Sequence, residues 1–303
     1  MLQIEAPAAA RQPVDFVSRD PSGLIGSTTA LQLTGGLFEC RGSQATGGGV
    51  RVTEVQLDCG LHLTSAIAPS RLAIVLVRPG PTRAIAFGTS CSAATCLVAS
   101  GAELELVTHG PVSILAIELE RTAVDWAAPG APVRAALLLR ASERAAIASF
   151  ALERLEHARL QGQACGDVLE AGLTDIVRSL VERGAASAQS RADRHRERLV
   201  KDALEVMWSR VEEPPTLQDV CSAAQCSVRT LIYAFNATFA MSPMKYFKIQ
   251  RLNAAHRRLQ HAAPGTHIFD VAADFGFWHL GHFGVDYKAL FGTTPKTTSR
   301  VSK

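Results

Sequence analysis

Residues 216–243, TLQDVCSAAQCSVRTLIYAFNATFAMSP, decide the reading of this chain, because residues 268–295, IFDVAADFGFWHLGHFGVDYKALFGTTP, repeat their plan. In the first stretch Thr216 precedes Leu217 and Val220, with Asp219 three residues on, the pattern of a capped helix start. A tight turn follows at Gln225-Cys226. Ser227 then caps a second helix, whose Leu231, Phe235 and Phe239 recur at i, i+4 and i+8 and so share one face. In the second stretch Ile268, Asp270, Val271 and Ala272 open a short helix, and the turn is Phe275-Gly276-Phe277. Phe283, Tyr287 and Phe291 repeat the i, i+4, i+8 spine. Both stretches close alike, Phe239 to Pro243 and Phe291 to Pro295. The closing elements are offset by 52 residues and Asp219/Asp270 by 51, so the second turn is one residue longer. Short helix, turn, capped helix is the helix-turn-helix plan, and here it occurs twice.

Between the two units, Ser242-Pro243 starts a long helix over Met244 to His261, with a basic run at Arg251, Arg257 and Arg258. Ahead of the first unit, Leu199, Val200, Ala203, Leu204, Met207, Trp208 and Val211 form an amphipathic helix ended by Glu213-Pro214-Pro215. Charge follows the same boundary. Residues 1–194 carry 17 Arg, no Lys and 19 acids, a net −2; residues 195–303 carry 14 Lys+Arg and 9 acids, a net +5, with six of the nine His. A basic end behind a mildly acidic remainder fits a nucleic-acid contact confined to that end, although five surplus charges also suit a solvated face.

Residues from about 196 to 300 resemble the AraC/XylS-type regulators, which carry two helix-turn-helix units joined by one long helix. The residues that carry the resemblance are Leu217, Asp219 and Val220, the run Ser227 to Leu231, Ala234-Phe235, Met241 to Pro243, Arg251, Leu252 and Ala255, Gly276-Phe277, His282-Phe283, Lys288, and Phe291 to Pro295. The resemblance implies that each second helix enters the major groove of double-stranded DNA, one turn apart. Counted from the buried spine, the outward set of the first reading helix is Val228, Arg229, Ile232, Tyr233 and Asn236. Arg229 suits bidentate pairing with guanine, Asn236 a base or phosphate, and Ile232 a thymine methyl. The second reading helix departs from the family pattern: Gly281, Gly284 and Val285 stand where Ser and Arg are common. Its outward set is Trp278, His279, Leu280, Gly281 and Val285. Poor in hydrogen-bonding groups, that surface suits phosphate contacts, apolar touches to thymine methyls and close backbone approach, leaving most sequence discrimination to the first unit.

Residues from about 14 to 132 read as short strands. Val50/Val52, Val55/Leu57, Leu104/Leu106 and Ile117/Leu119 alternate with polar neighbours, and Leu72 to Val77 is a continuous apolar run suited to a strand covered on both faces. Turns punctuate them at Gly35-Gly36, Gly47-Gly48-Gly49, Pro79-Gly80-Pro81, Gly110-Pro111 and Pro129-Gly130. From Pro132 the period becomes helical, with Ser142 a candidate cap. Leu169, Leu173, Ile176, Val177 and Leu180 form a second stripe, for packing on the β domain or for a homodimer. Gly184 to Arg194 is small and polar, without apolar period, and reads as a linker. The expected architecture is therefore α+β. It comprises an N-terminal antiparallel β-barrel or jelly-roll-like domain over 1–134, a helical pair over 135–184, a linker over 185–195, and an all-α double helix-turn-helix domain over 196–303.

Function classes narrow accordingly. Met1 to Asp15 lacks a basic segment followed by an apolar core, and Leu72 to Val77 is far short of the ~18 residues that span a bilayer, so a soluble, cytoplasmic protein with no membrane contact is expected. The seven cysteines read as reduced thiols. Two C-x4-C pairs lack the further ligands a zinc site needs, so no metal and no cofactor are expected. His62 and His109 are isolated, and Arg51, Arg71, Arg78 and Arg83 read as exposed strand and turn residues. No nucleophile elbow, P-loop or dinucleotide fingerprint occurs, and the chain is not expected to be an enzyme. The resemblance implies that the β domain senses a small organic effector, of unknown binding residues, and biases DNA binding or contact with RNA polymerase. The alternatives are a ligand-independent regulator and a barrel enzyme fused to a DNA-binding domain.

Overall fold

Alternating strand residues sort into two apolar layers because successive side chains leave a strand on opposite faces. The computed structural model describes residues 15–18, 25, 27–81, 83–120, 132–161, 171–186, 191–263 and 265–301. Twelve strands are present among them: β1 (Asp15–Ser18), β2 (Ser27–Gln32), β3 (Cys40–Gly47), β4 (Val50–Leu57), β5 (Leu61–Ala66), β6 (Arg71–Pro79), β7 (Ala84–Ala86), β8 (Thr89–Ser90), β9 (Thr95–Ser100), β10 (Glu103–Thr108), β11 (Val112–Glu120) and β12 (Val133–Leu138). They form a seven-stranded sheet, order β1-β3-β4-β11-β6-β9-β12, and a five-stranded sheet, order β2-β5-β10-β7-β8, with every pairing antiparallel.

The large sheet is covered on both faces, which is why Leu72 to Val77 is continuously apolar. Ala73, Val75 and Val77 face the inter-sheet core with Leu63, Leu104 and Leu106 of the small sheet. Leu72 and Ile74 face the other way, against Ile147, Phe150 and Leu155 of α1 (Ala141–Gln161) and Val177 and Leu180 of α2 (Ala171–Ala186). The apolar stripe of the helical pair is thus used in packing on the β domain. Arg51 and Arg71 both reach the buried Glu118, at 3.3 and 3.5 Å, so these arginines serve a strand-to-strand ion cluster.

Three boundaries move. Residues 133–138 form β12 on β9 instead of starting a helix, because Val133 and Ala135 are buried on one face while Arg134 between them points to the other, toward Glu105 and Glu197. Ser142 lies inside α1, and the Glu143 carboxylate accepts the Arg140 N–H at 2.8 Å. The expected linker is mostly helical: Gly184 to Ala186 end α2, and residues 191–194 open α3 (Arg191–Ser209), where Asp193 and Arg196 pair one turn apart. Pro129-Gly130, Cys165, Leu169 and residues 187–190 lie outside the described residues.

The remaining helices are α4 (Leu217–Ala223), α5 (Val228–Phe239), α6 (Pro243–Gln260), α7 (Ile268–Asp274), α8 (Leu280–Phe291) and α9 (Pro295–Val301). Their core centres on α6 and takes in Leu33, Ile85 and Val107 of the β domain, so the helical end and the small sheet share one apolar cluster. Among the described residues no helix is long and apolar enough to cross a membrane, and no cluster of His, Cys, Asp and Glu is suited to a metal ion.

Candidate nucleic-acid interface

Each helix-turn-helix unit is fixed by its spine. Thr216 and Asp219 make a reciprocal capping box at the start of α4, with Asp219 N to Thr216 Oγ1 at 3.2 Å and Thr216 N to Asp219 Oδ2 at 2.8 Å. These hydrogen bonds from Thr216 hold the Asp219 carboxyl below its ordinary value. Gln225 turns the chain at φ 50°, and the Ser227 hydroxyl caps α5 by accepting the Thr230 N–H at 3.1 Å. Leu231, Ala234, Phe235 and Phe239 are buried behind α5. In the second unit Gly276 turns the chain at φ 70°, a conformation that suits glycine. A Cβ there would stand 2.5 Å from the Val211 carbonyl, so only glycine fits. Phe283, Tyr287, Leu290 and Phe291 are buried behind α8, whose start has no side-chain cap.

The long α6 serves both units through matched stacks. Tyr246 lies flat on Phe239, ring centroids 3.9 Å apart at 13°, and His256 lies on Phe291 at 4.1 Å and 17°. His256 Nδ1 is 2.6 Å from the Tyr287 hydroxyl, which donates to Thr298 Oγ1 at 2.9 Å. Burial pushes the His256 imidazole down to about 4. Arg251, also on α6, sits between the rings of Phe247 and Phe277, 5.1 and 4.7 Å from their centroids, and donates to the carbonyls of Phe275 and Gly276 at 3.2 Å. Its burial lowers the guanidinium to about 10. Arg251 therefore holds the second unit's turn onto the helix that joins the two units. It is not a free cation facing DNA.

With the backs of α5 and α8 committed, their fronts are open. Val228, Arg229, Tyr233 and Asn236 are exposed, Ile232 is half-buried, and Tyr233 stands 69 % exposed despite its size. Arg229 makes no ion pair among the described residues. Leu280, Gly281 and Val285 are exposed on α8, with Val285 at 71 %. Trp278 and His279 precede that helix; the Trp278 indole donates to the Glu212 carbonyl at 3.2 Å, so its ring is tied to the α3–α4 connection while 55 % exposed. A Cβ at Gly281 or Gly284 would meet nothing within 4 Å, so neither glycine is demanded by packing.

The far end of α8 and the linking helix α6 rest on the β domain. Gly35 lies so close to the Ala289 carbonyl that a Cβ would be 2.5 Å away. Gln32 Nε2 donates to the Leu290 carbonyl at 2.7 Å. The Asn253 carboxamide pairs with both backbone groups of Gln32, Oδ1 accepting its N–H at 2.8 Å and Nδ2 donating to its carbonyl at 3.0 Å. His62 bridges the domains, Nδ1 at 2.7 Å from the Tyr246 hydroxyl and Nε2 at 3.1 Å from Glu105. Burial raises the Glu105 carboxyl, but the His62 hydrogen bond and the charges of His62 and Arg134 hold it below its ordinary value. Arg134 spans from Glu105 to Glu197 of α3. These linking residues escaped the sequence reading; they are single polar side chains without periodicity, and only the isolation of His62 drew attention to it.

A family model described as a helix-turn-helix domain matches residues 220–300. The probable thc operon regulatory protein of Rhodococcus erythropolis is 30% identical over 104 residues, 34% of this chain and 31% of that protein. XylDLEGF operon transcriptional activator 2 of Pseudomonas putida is 30% identical over 94 residues, 31% of this chain and 60% of that protein. The chain thus spans from about a third to 60% of the length of these two relatives. Among solved structures, an AraC-type DNA-binding domain-containing transcriptional regulator from Chromobacterium violaceum is 26% identical, covering 35% of this chain and 93% of that one, with a TM-score of 0.33.

Proposed function

From a C-terminal third that is a helix-turn-helix domain of the AraC/XylS type, we propose that the chain is a sequence-specific, DNA-binding transcription regulator and acts as an activator. The observation that carries the reading is the pair of reading helices whose buried spines leave Val228, Arg229, Tyr233 and Asn236, then Leu280, Gly281 and Val285, turned to solvent. Arg229 and Asn236 supply base-edge hydrogen bonding in the major groove, with Ile232 against a thymine methyl. Trp278, His279, Leu280, Gly281 and Val285 follow the backbone of the next turn. Activation is favoured because a relative that aligns over this domain carries that role in its name. RNA polymerase would be the protein partner. With the α1–α2 stripe buried on the β domain, a homodimer would need another surface.

Genome-wide mapping of bound sites, followed by footprinting of one site, tests the proposal. Two protected patches one helical turn apart on one face of the duplex are expected, with affinity falling steeply as salt rises from counterion return. Uniform, sequence-independent protection, or an affinity flat with salt, would reject it.

The proposal extends to control by a small organic effector acting through the N-terminal domain. The space between the two sheets does not favour a site there: it amounts to about 10 Å³, lined by Thr28, Thr53, Leu63, Ser65, Leu106 and Ile114 among others. That is room for about one water molecule.

A further inference from the structure

Among the described residues, a roomy cavity lies where the two domains meet. It measures about 440 Å³, within the usual range for small-molecule sites. One wall is the outer face of the five-stranded sheet, with Thr64 of β5 and Glu103 and Glu105 of β10, joined by Phe87. The opposite wall is α3, which presents Val200, Leu204 and Trp208. Thr238 and Phe239, the last turn of the first reading helix, and Gln250 of α6 complete it.

The chemistry of the lining is asymmetric. The body of the cavity is apolar and partly aromatic. Its cations are already engaged: Arg134 with Glu105 and Glu197, Arg196 with Asp193, and Lys201 near Glu205 at 3.9 Å. Glu103 pairs with no cation among the described residues, so the lining carries surplus negative charge. Gln250 is nine-tenths buried, and its Oε1 accepts no hydrogen bond among the described residues. A buried acceptor without a donor is costly, which marks it as a place for a ligand N–H. Trp208, half-buried on α3, offers an aromatic surface that attracts an organic cation.

We propose that this interdomain cavity binds a protonated organic amine with an apolar or aromatic body, its ammonium held by Glu103 and the Gln250 Oε1 and its body packed on Leu204, Trp208 and Phe239. This names the site and chemical class of the effector proposed above, and depends on that reading for its consequence but not for the binding itself. The consequence follows from position. The ligand touches the β domain, α3 and the end of α5 together, beside the bridge from Glu105 through His62 to Tyr246. Occupancy therefore favours whichever domain arrangement retains the cavity, and the first reading helix moves with that choice.

Titration of the full chain with phenethylamine and tryptamine, beside 3-phenylpropionate and 2-phenylethanol as charge-reversed and neutral matches, tests the site by calorimetry and melting temperature. Saturable one-to-one binding of the amines is expected, with a rise in melting temperature and at least tenfold weaker binding of the acid and alcohol. Glu103→Gln, an exposed strand position, and the near-isosteric Gln250→Met should each weaken amine binding at least tenfold. Tighter binding of the carboxylate overturns the assigned class. Unchanged amine affinity in both variants overturns the assigned site, and absence of saturable binding by either amine overturns the proposal. Binding of the ligand-free chain to genomic DNA, measured in parallel, keeps the two readings apart. Intact DNA binding without amine binding rejects only the cavity, whereas amine binding without DNA binding rejects the regulatory role.

Discussion

Arg229 stands in the first turn of α5 with its guanidinium exposed and free of any ion pair among the described residues, which is where a base-reading side chain must be. Its neighbours Leu231 and Phe235 are buried, so their loss would unfold the unit, whereas Arg229→Ala trims an exposed side chain and, on the proposed reading, removes only a contact to DNA. Affinity for the cognate site should fall by ~1 to 3 kcal/mol, with relaxed preference at one base pair, in a binding titration against single-base variants. An equal loss on random-sequence DNA would reassign Arg229 to the phosphates. Gly281 separates stability from function in the opposite sense. It is helical with open space around its missing Cβ, so Gly281→Ala should stabilise the fold by about 0.5–1 kcal/mol. If the α8 backbone approaches the duplex closely at this point, the same methyl should weaken DNA binding while the melting temperature rises. A variant that melts higher and binds DNA unchanged would show that the backbone stays clear of the phosphates.

At the scale of elements, α6 carries one aromatic stack for each unit, and the second stack contains a titratable ring. His256 is pushed down to about 4 by burial, from an ordinary value of 6.5. A lowered base binds fewer protons folded than unfolded, so its effect on stability is nil above the unfolded value and unfavourable below it. Stability should therefore decline as pH falls from about 6.5 to 4, by on the order of 3 kcal/mol at most, and level off once the folded form also protonates. His256→Gln, which keeps a polar partner for Tyr287, should flatten that slope in urea melts at pH 7, 5.5 and 4.5. An unchanged slope would place the acid sensitivity elsewhere.

The same elements show what the sequence made legible. The spine residues of α5 and α8 have helical spacing and bulk, and all six are buried. The alternating strands were equally readable, and the run Leu72 to Val77 does send side chains to two cores. Residues 133–138 deceived because VRAALL is alanine- and leucine-rich, and its strand state depends on pairing with the distant β9. The start of α3 deceived in the other direction: Ala192 is its one apolar residue before Leu199, and Asp193 and Arg196 pair there, which leaves no hydrophobic period to detect.

For the whole molecule, the two domains meet partly through a shared apolar cluster and partly through a few polar clamps, of which Asn253 is the most directional. It sits in the buried middle of α6 and pairs with both backbone groups of Gln32 at the end of β2, as a neighbouring strand would. β2 is an edge strand of the small sheet, so this carboxamide covers backbone groups that the sheet itself leaves open. The same Gln32 side chain reaches the Leu290 carbonyl, so the clamp joins the sheet edge to the end of the second reading helix. Asn253→Ala removes the partners of two groups in a setting closed to water, at a cost of about 1–3 kcal/mol for each one left unsatisfied. The loss should appear first as faster hydrogen exchange at the Gln32 amide. Amides of Leu63 and Leu106 in the inter-sheet core should stay protected, because their packing does not depend on the helical end. Uniform loss of protection throughout the β domain would mean that the domains fold as one cooperative unit. Unaltered Gln32 exchange would mean that the Asn253 clamp is not what holds the sheet edge to the helical end, and that the shared apolar cluster with the His62 and Arg134 bridges suffices.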